Sequence, residues 1–117
     1  MKRILFAAVL TLTLAGCTLR PSKIEGEWVF HSVNDVDIAQ YAAVKGRTTE
    51  DVAHSLVISG KNAVLEDISG ERELKLSMTK EGFTFIDEDR EKCFYYESEK
   101  DILVYINGEE TWVYSRN

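Results

Sequence analysis

The chain has 117 residues, 44% of them hydrophobic, and carries 20 acidic against 14 basic side chains, for a formal net charge of −6. About 100 residues suffice for one domain with a single core. An acidic chain without a basic cluster argues against nucleic acid as a partner, because phosphates require Lys and Arg on one face.

The N-terminal stretch has the pattern of an export signal. Two basic residues precede an apolar run, residues 4–14, and small residues then lead to Cys17. This pattern is typical of a secretory signal peptide, and the run is shorter than the ~20 residues that span a bilayer. Leu14-Ala15-Gly16-Cys17 resembles the lipobox of bacterial lipoproteins. The resemblance implies removal of residues 1–16 and a lipid on Cys17; an ordinary signal peptide or a short transmembrane anchor is the alternative.

The same resemblance makes an expectation about location. Where bacteria have two membranes, Asp after the lipidated Cys favours the inner one, and this chain has Thr18. In such a host we therefore expect the outer membrane, with the protein facing the periplasm; in a host with a single membrane the protein would lie on the outer face of the cell. Loss of residues 1–16 removes two basic residues and no acid, so the charge changes from −6 to −8. Such a chain adsorbs poorly on anionic lipid. We therefore expect the lipid on Cys17, with a tether over 17–23, to hold the domain at the membrane.

A strand and a helix follow the tether. Residues 24–33 alternate between apolar and polar side chains, which is the period of a half-buried strand. Asp35 or Asp37 can cap a helix over residues 38–45. Residues 49–53 can add a second, shorter helical turn.

The rest of the chain predicts a β meander, because β-rich runs recur about every ten residues with turn residues between them. The runs cover residues 55–59, 63–67, 73–79, 83–87, 92–97, 102–106 and 111–115. Asn107-Gly108 is a strong signal for a tight hairpin. Eight short strands cannot lie flat with one apolar face exposed, so they close into a barrel or fold into a sandwich.

Gly26-Glu27-Trp28, the helical connection and a meander ending Tyr114-Ser115-Arg116 resemble the lipocalin and calycin pattern. The resemblance implies a mostly β domain over residues 24–117. Its fold would be a small antiparallel up-and-down β-barrel of about eight short strands, with the helix after the first strand covering one mouth. It also implies that Arg116 lies over Trp28 in a cation–π contact, so that Gly26, Trp28 and Arg116 form a structural closure.

Catalytic and metal-binding patterns are weak in this chain. His31 and His54 are the only histidines, and without a Cys at ligand spacing they are interpreted as surface or edge residues. Residues 87–91 contain four carboxylates, but not in the order of a calcium loop, and we expect a solvated hairpin loop. We therefore expect no enzyme, no metal site and no cofactor.

Aromatic residues form the more informative set. Phe94 and Tyr96 share one face of a predicted strand, while Cys93 and Tyr95 share the other. One pair must lie outside, where aromatic rings suit a contact surface; cross-strand pairs that stiffen the sheet are the alternative. We expect the lone Cys93 to be buried and inert, with pairing between molecules as the alternative.

Two functions remain. The first is a binding module that holds a small apolar ligand inside the barrel, with candidate lining residues Trp28, Phe30, Leu76, Phe83 and Phe85. The second is an acidic interaction protein that binds or inhibits another envelope or extracellular protein. A basic partner such as a lysozyme fits this charge, because opposite fields speed encounter.

Overall fold

The computed structural model describes residues 19–86 and 92–117. Within these residues the chain forms a 3₁₀ turn, two short α-helices and nine strands. In chain order these elements are the 3₁₀ turn Pro21–Lys23, β1 Gly26–Val33, β2 Val36–Asp37, α1 Ile38–Val44, α2 Thr49–Val52, β3 Ser55–Ser59, β4 Asn62–Asp67, β5 Gly70–Met78, β6 Gly82–Phe85, β7 Cys93–Glu97, β8 Ile102–Asn107 and β9 Glu110–Arg116.

The strands form an antiparallel meander that closes on itself. From β3 to β9 each strand pairs with the next in sequence, β1 pairs with β3, and β9 returns to pair with β1. The result is a closed barrel of eight strands, with a short helix after the first strands. The predicted mostly β fold, a small antiparallel up-and-down barrel, is confirmed.

The ninth strand, β2, was not predicted. It pairs only with the last two residues of β1, Ser32 with Asp37 and Val33 with Val36. The residues between them, Asn34 and Asp35, both have positive φ and make a tight hairpin turn. A strand of two residues carries no alternation that a sequence pattern can reveal.

The barrel core follows from the alternation of side chains along each strand. On β3, for example, Leu56 and Ile58 point inward and are buried, whereas Val57 faces outward. A bulge in β1 shifts its register with β9 between Phe30 and Ser32. The buried hydrophobic residues of the barrel are Ile24, Trp28, Phe30, Val33, Leu56, Ile58, Ala63, Leu76, Phe83, Phe85, Phe94, Leu103 and Tyr114.

Because neighbouring strands run in opposite directions, the connections between them lie at the two ends of the barrel. We call one the closed end: it comprises residues 19–26, 60–61, 79–81, 98–101 and 116–117. We call the other the open end: among the described residues it comprises 34–54, 68–69 and 108–109. Both helices lie at the open end, where α1 begins with a hydrogen bond from the backbone N–H of Gln40 to the Asp37 side chain.

Candidate functional site

The closed end is sealed by Trp28 and Arg116. Trp28 is fully buried, and its indole Nε1 donates a hydrogen bond to the carbonyl of Ile24 over 2.7 Å. The guanidinium of Arg116 lies 4.2 Å from the Trp28 ring centroid, which is a cation–π contact. A Cβ on Gly26, whose φ is +128°, would lie 2.9 Å from Nη1 of Arg116. The structure thus brings Gly26, Trp28 and Arg116 together.

Further hydrogen bonds from Arg116 link several elements at this end. Its Nη2 donates to the carbonyl of Lys23 over 2.7 Å, and its Nε donates to Oδ2 of Asp101 over 2.7 Å. The Tyr96 hydroxyl donates to the other oxygen of Asp101 over 2.8 Å. The bond from Arg116 is the main reason that the pKa of Asp101 is lowered. These contacts join the 3₁₀ turn, β7, the turn between β7 and β8, and β9, so the closed end is a structural plug.

Stacked aromatic rings fill the barrel above this plug. Phe83 and Phe94 are stacked with centroids 4.9 Å apart, and Phe94 is stacked on Tyr105 at the same distance. Phe85 packs against Phe94 at 5.2 Å. A barrel of eight strands has an interior that side chains can fill, and here aromatic rings occupy much of it.

A cavity of about 480 Å³ lies at the open end of the barrel. Its apolar and aromatic lining consists of Leu56, Leu65, Phe85, Phe94, Tyr105, Trp112 and Tyr114. Its polar lining consists of His54, Asp67, Arg72, Lys92 and Asn107. The volume lies within the ~300–1,000 Å³ typical of small-molecule sites, and the lining combines apolar rings with several charged side chains. We call this space the open-end cavity.

His54 is half-buried in the wall of the open-end cavity. Its ring is stacked on Phe30 with centroids 4.6 Å apart. Its Nδ1 lies 2.9 Å from the carbonyl of Val52, which can only accept, so Nδ1 carries the hydrogen. Nε2 lies 2.6 Å from the Tyr114 hydroxyl and accepts from it in the neutral ring. Burial lowers the pKa of His54 below its usual 6.5.

Glu110 connects α1 to β9 beside the cavity. Its Oε1 accepts hydrogen bonds from the indole Nε1 of Trp112 over 3.0 Å and from the Tyr41 hydroxyl over 3.2 Å. Its Oε2 lies 3.3 Å from Nζ of Lys45. The bond from Trp112 is the main reason that the pKa of Glu110 is lowered. Glu110 therefore fixes both the helix and the indole ring of Trp112.

A second cavity, also of about 480 Å³, lies between the helices and the barrel. It is lined by Phe30, Tyr41, Lys45, Arg47, Asp51, Val52, His54 and Trp112. His54 and Trp112 line both cavities. A ligand in either cavity would therefore contact these two rings.

The comparisons with known proteins concern the N-terminus. Residues 1–18 match the family model described as the prokaryotic membrane lipoprotein lipid attachment site. The protein is a lipid-anchored lipoprotein of the cell envelope. Its anchor is a lipid on the cysteine of the matched segment. The lipoprotein matches no curated protein and no solved structure. Among its described residues, no helix is long and apolar enough to cross a membrane.

The candidate lining residues of the lipoprotein fall into two groups. Phe85 lines the open-end cavity, and Phe30 lines the cavity beneath the helices. Trp28, Leu76 and Phe83 lie in the core and line neither of these spaces. A ligand at the open end would contact only the first group directly.

Sequence reasoning missed His54 and Glu110. His54 was expected at the surface or an edge, yet it is half-buried and bonded to Tyr114, 60 residues away. Nothing in the sequence pattern singled out Glu110. His54 bonds to Tyr114 and Glu110 to Trp112. Only the closed register of β1 with β9 brings these residues together, and no local spacing encodes it.

The remaining candidate residues from the sequence lie on β1, on β7 or outside the described residues. Cys17 and the acidic segment 87–91 lie outside the described residues. His31 is exposed on β1. On β7, Phe94 is buried, Tyr95 is 40% exposed on the outer face, and the free thiol of Cys93 is half-buried.

Proposed function

We propose that this lipoprotein is a lipocalin-like binding protein that holds a small apolar ligand at its open end. The observation that carries the proposal is the open-end cavity of about 480 Å³. The plug formed by Gly26, Trp28 and Arg116 supports the lipocalin-like assignment, since it pairs a Gly-x-Trp motif with an Arg on the last strand.

The cavity walls support an apolar and partly aromatic ligand. Phe94, Tyr105 and Trp112 present ring surfaces, against which flat apolar groups gain contact beyond simple burial. Removing apolar surface from water contributes about 25 cal/mol per Å². His54 and Lys92 at the cavity can orient a polar group of the ligand.

We propose binding rather than catalysis at this site. Both ring nitrogens of His54 are engaged, one with a backbone carbonyl and one with the Tyr114 hydroxyl. Burial raises the pKa of Tyr114 far above its usual range, which disfavours a phenolate nucleophile. Tyr114 is also only 2% exposed, which leaves a substrate little access to its hydroxyl oxygen.

We also propose that the protein resides on the outer membrane and faces the periplasm. The support is Thr18 after the lipidated cysteine, where Asp would favour the inner membrane. Fractionation of the two membranes tests this: recovery of the protein with inner-membrane markers would contradict it. A Thr18→Asp variant should move the protein to the inner-membrane fraction.

Native mass spectrometry tests the ligand proposal. Residues 18–117 would be exported with a signal peptide that lacks a lipobox and purified from the periplasm without detergent. We expect an additional non-covalent mass of roughly a few hundred daltons, the size that such a cavity accommodates. A bare protein mass that also takes up no apolar dye would contradict the proposal.

A matched pair of tryptophan substitutions locates the binding. Leu65 lines the open-end cavity, and Leu65→Trp should fill it and abolish binding of the ligand or dye. Val57 faces outward from β3, so Val57→Trp adds the same ring outside and should leave binding intact. Circular dichroism would establish that both variants keep the fold. Equal binding by both variants would place the ligand elsewhere.

A second candidate function, an interaction protein with a basic partner, is supported by exposed apolar side chains at or beside the open end. Val44 is 78% exposed, Ile68 67% and Ile106 56%. Combined with the acidic charge, such a surface suits a basic envelope or extracellular protein such as a lysozyme. Binding of lysozyme that weakens with salt and is lost in Ile106→Lys would support this function. No binding at low salt would reject lysozyme as the partner.

A further inference from the structure

The segment that follows the lipidated cysteine is fixed to the closed end of the barrel. The backbone N–H of Leu19 donates to the carbonyl of Thr79 over 2.7 Å, and the Leu19 side chain packs against the core. The next residues form the 3₁₀ turn, whose Lys23 carbonyl accepts from Arg116. Ile24, which follows, is fully buried. The chain is thus attached to the domain from Leu19 onward.

Very little chain separates this attachment from the membrane anchor. Leu19 lies two residues after Cys17. Even a fully extended chain spans at most ~3.6 Å per residue, so the anchor lies within about 7 Å of Leu19. A tether this short cannot reach around the barrel to the open end.

The closed end also carries the charges that an anionic lipid surface attracts. Each of its three turns contains one lysine, namely Lys61, Lys80 and Lys100. Arg20 and Lys23 add to this set in the segment before β1. The lysine side chains are solvent-exposed, and that of Lys100, for example, is 71% exposed. Its Nζ lies 3.8 Å from Oε1 of Glu97. Glu25, Glu81, Glu99 and Asp101 lie at the same end, so six basic residues stand against four acids there, whereas the chain as a whole is acidic. Lysines near a bilayer are attracted to anionic headgroups.

We infer that the lipoprotein stands on the bilayer that holds its own lipid anchor, with the closed end against the headgroups and the open end turned away. The open-end cavity then opens to the aqueous compartment and not to the lipid. This orientation rests on lipid attachment at Cys17 and on the attachment of Leu19. It holds whether or not the cavity binds a ligand.

Fluorescence quenching at the two ends of β8 tests the orientation. Ser98 lies in the closed-end turn before β8, and Glu109 lies in the open-end turn after it. Ser98→Cys and Glu109→Cys, each made with Cys93→Ala, would be labelled with one dye. The full lipidated proteins would be placed in phosphatidylethanolamine–phosphatidylglycerol vesicles that carry a headgroup quencher. We expect severalfold stronger quenching of the dye at position 98; equal or reversed quenching would overturn the inference.

Lysine footprinting provides the same test without any cysteine substitution. A water-soluble amine reagent would modify the lipidated protein in vesicles and, in parallel, a form exported without a lipobox. Mass spectrometry should show Lys61, Lys80 and Lys100 protected in vesicles. Lys92 in the open-end cavity and Lys45 in the cavity between the helices and the barrel should react equally in both forms. Protection of Lys45 and Lys92 instead would overturn the orientation.

Lengthening the tether shows how much of the orientation is due to the short tether and how much is due to the lysines. Insertion of a flexible Gly-Ser segment between Thr18 and Leu19 leaves the barrel and its charges unchanged. We expect the difference in quenching between positions 98 and 109 to shrink, since the anchor then no longer fixes the closed end. An unchanged difference would show that the short tether does not orient the protein.

Discussion

At the scale of single residues, Gly26 shows how one position controls the closed end. Its φ of +128° lies in a region that side-chain-bearing residues rarely adopt. The missing Cβ also leaves room for the Arg116 guanidinium, which lies over Trp28. The backbone conformation and the cation–π contact therefore depend on the same glycine.

Gly26→Ala should lower the free energy of unfolding by about 1–3 kcal/mol, since it strains the backbone and displaces Arg116. Gly46→Ala is the matched control: its φ is also positive, at +72°, but a Cβ there would contact nothing within 4 Å. The control should lose only about 1 kcal/mol. Urea unfolding measures both, and a loss at Gly26 no larger than at Gly46 would contradict the proposed role of this contact.

His54 should make the stability depend on pH. Burial lowers its pKa in the folded protein below the usual 6.5. As the pH falls through that usual value, the unfolded chain binds a proton that the folded chain does not, so the free energy of unfolding decreases. Urea unfolding at about pH 7.5 and about pH 5.5 measures this decrease in the free energy of unfolding, because the two values lie on either side of the pKa of histidine in the unfolded chain.

Two substitutions provide the controls for that pH dependence. His54→Gln can still bond to the Tyr114 hydroxyl but does not titrate, so the loss of stability between the two pH values should shrink. His31→Gln changes an exposed histidine and should leave the loss as it was. An identical pH dependence in His54→Gln and the unmodified protein would exclude His54 as its source.

At the scale of elements, Glu110 joins α1 to the barrel by polar contacts, in addition to the packing of Ile38 and Tyr41 against the core. Tyr41 and Lys45 reach Glu110 from the helix, and Trp112 reaches it from β9. The helix has seven residues, which is too short for stability of its own in water. Its position over the open end therefore depends on these contacts.

Glu110→Ala should lower the free energy of unfolding by about 1–2 kcal/mol, because it leaves two donors and one cation without their acceptor. It should also speed hydrogen exchange in α1 more than in the strands. Glu109→Ala, in the adjacent exposed position, should change neither quantity. If α1 exchanged at the same rate in both variants, Glu110 would not be what holds the helix.

The strands and the helix were predictable because their patterns are local. Alternation along residues 73–79 predicted β5, and the turn residues Asn107 and Gly108 predicted the last hairpin. β5 nevertheless begins earlier than predicted, at Gly70, because pairing with β4 extends it through polar residues. The open-end site was not predictable in the same way. His54 and Tyr114 meet only after the barrel closes, and closure leaves no local signal.

At the scale of the whole molecule, the lipid anchor determines where the domain resides. Exchange of residues 1–17 for a signal peptide without a lipobox should release the protein into the soluble fraction. Cys93→Ala removes the other cysteine and should leave the protein with the membrane. Membrane fractionation followed by mass spectrometry measures both. Continued membrane retention without Cys17 would contradict lipid anchoring through this residue.

The pairing of β1 with β9 also constrains when the protein can fold. Trp28 pairs with Arg116 and Phe30 with Tyr114, so the barrel stays open until almost the whole of the described chain is available. Contacts between such distant segments form late, because a large loop must first be closed. During export the earlier strands would therefore remain an unfinished sheet with an unpaired edge, and such an edge is prone to aggregate. Attachment of the lipid at the opposite end of the sequence would keep that unfinished sheet beside the membrane until β9 arrives.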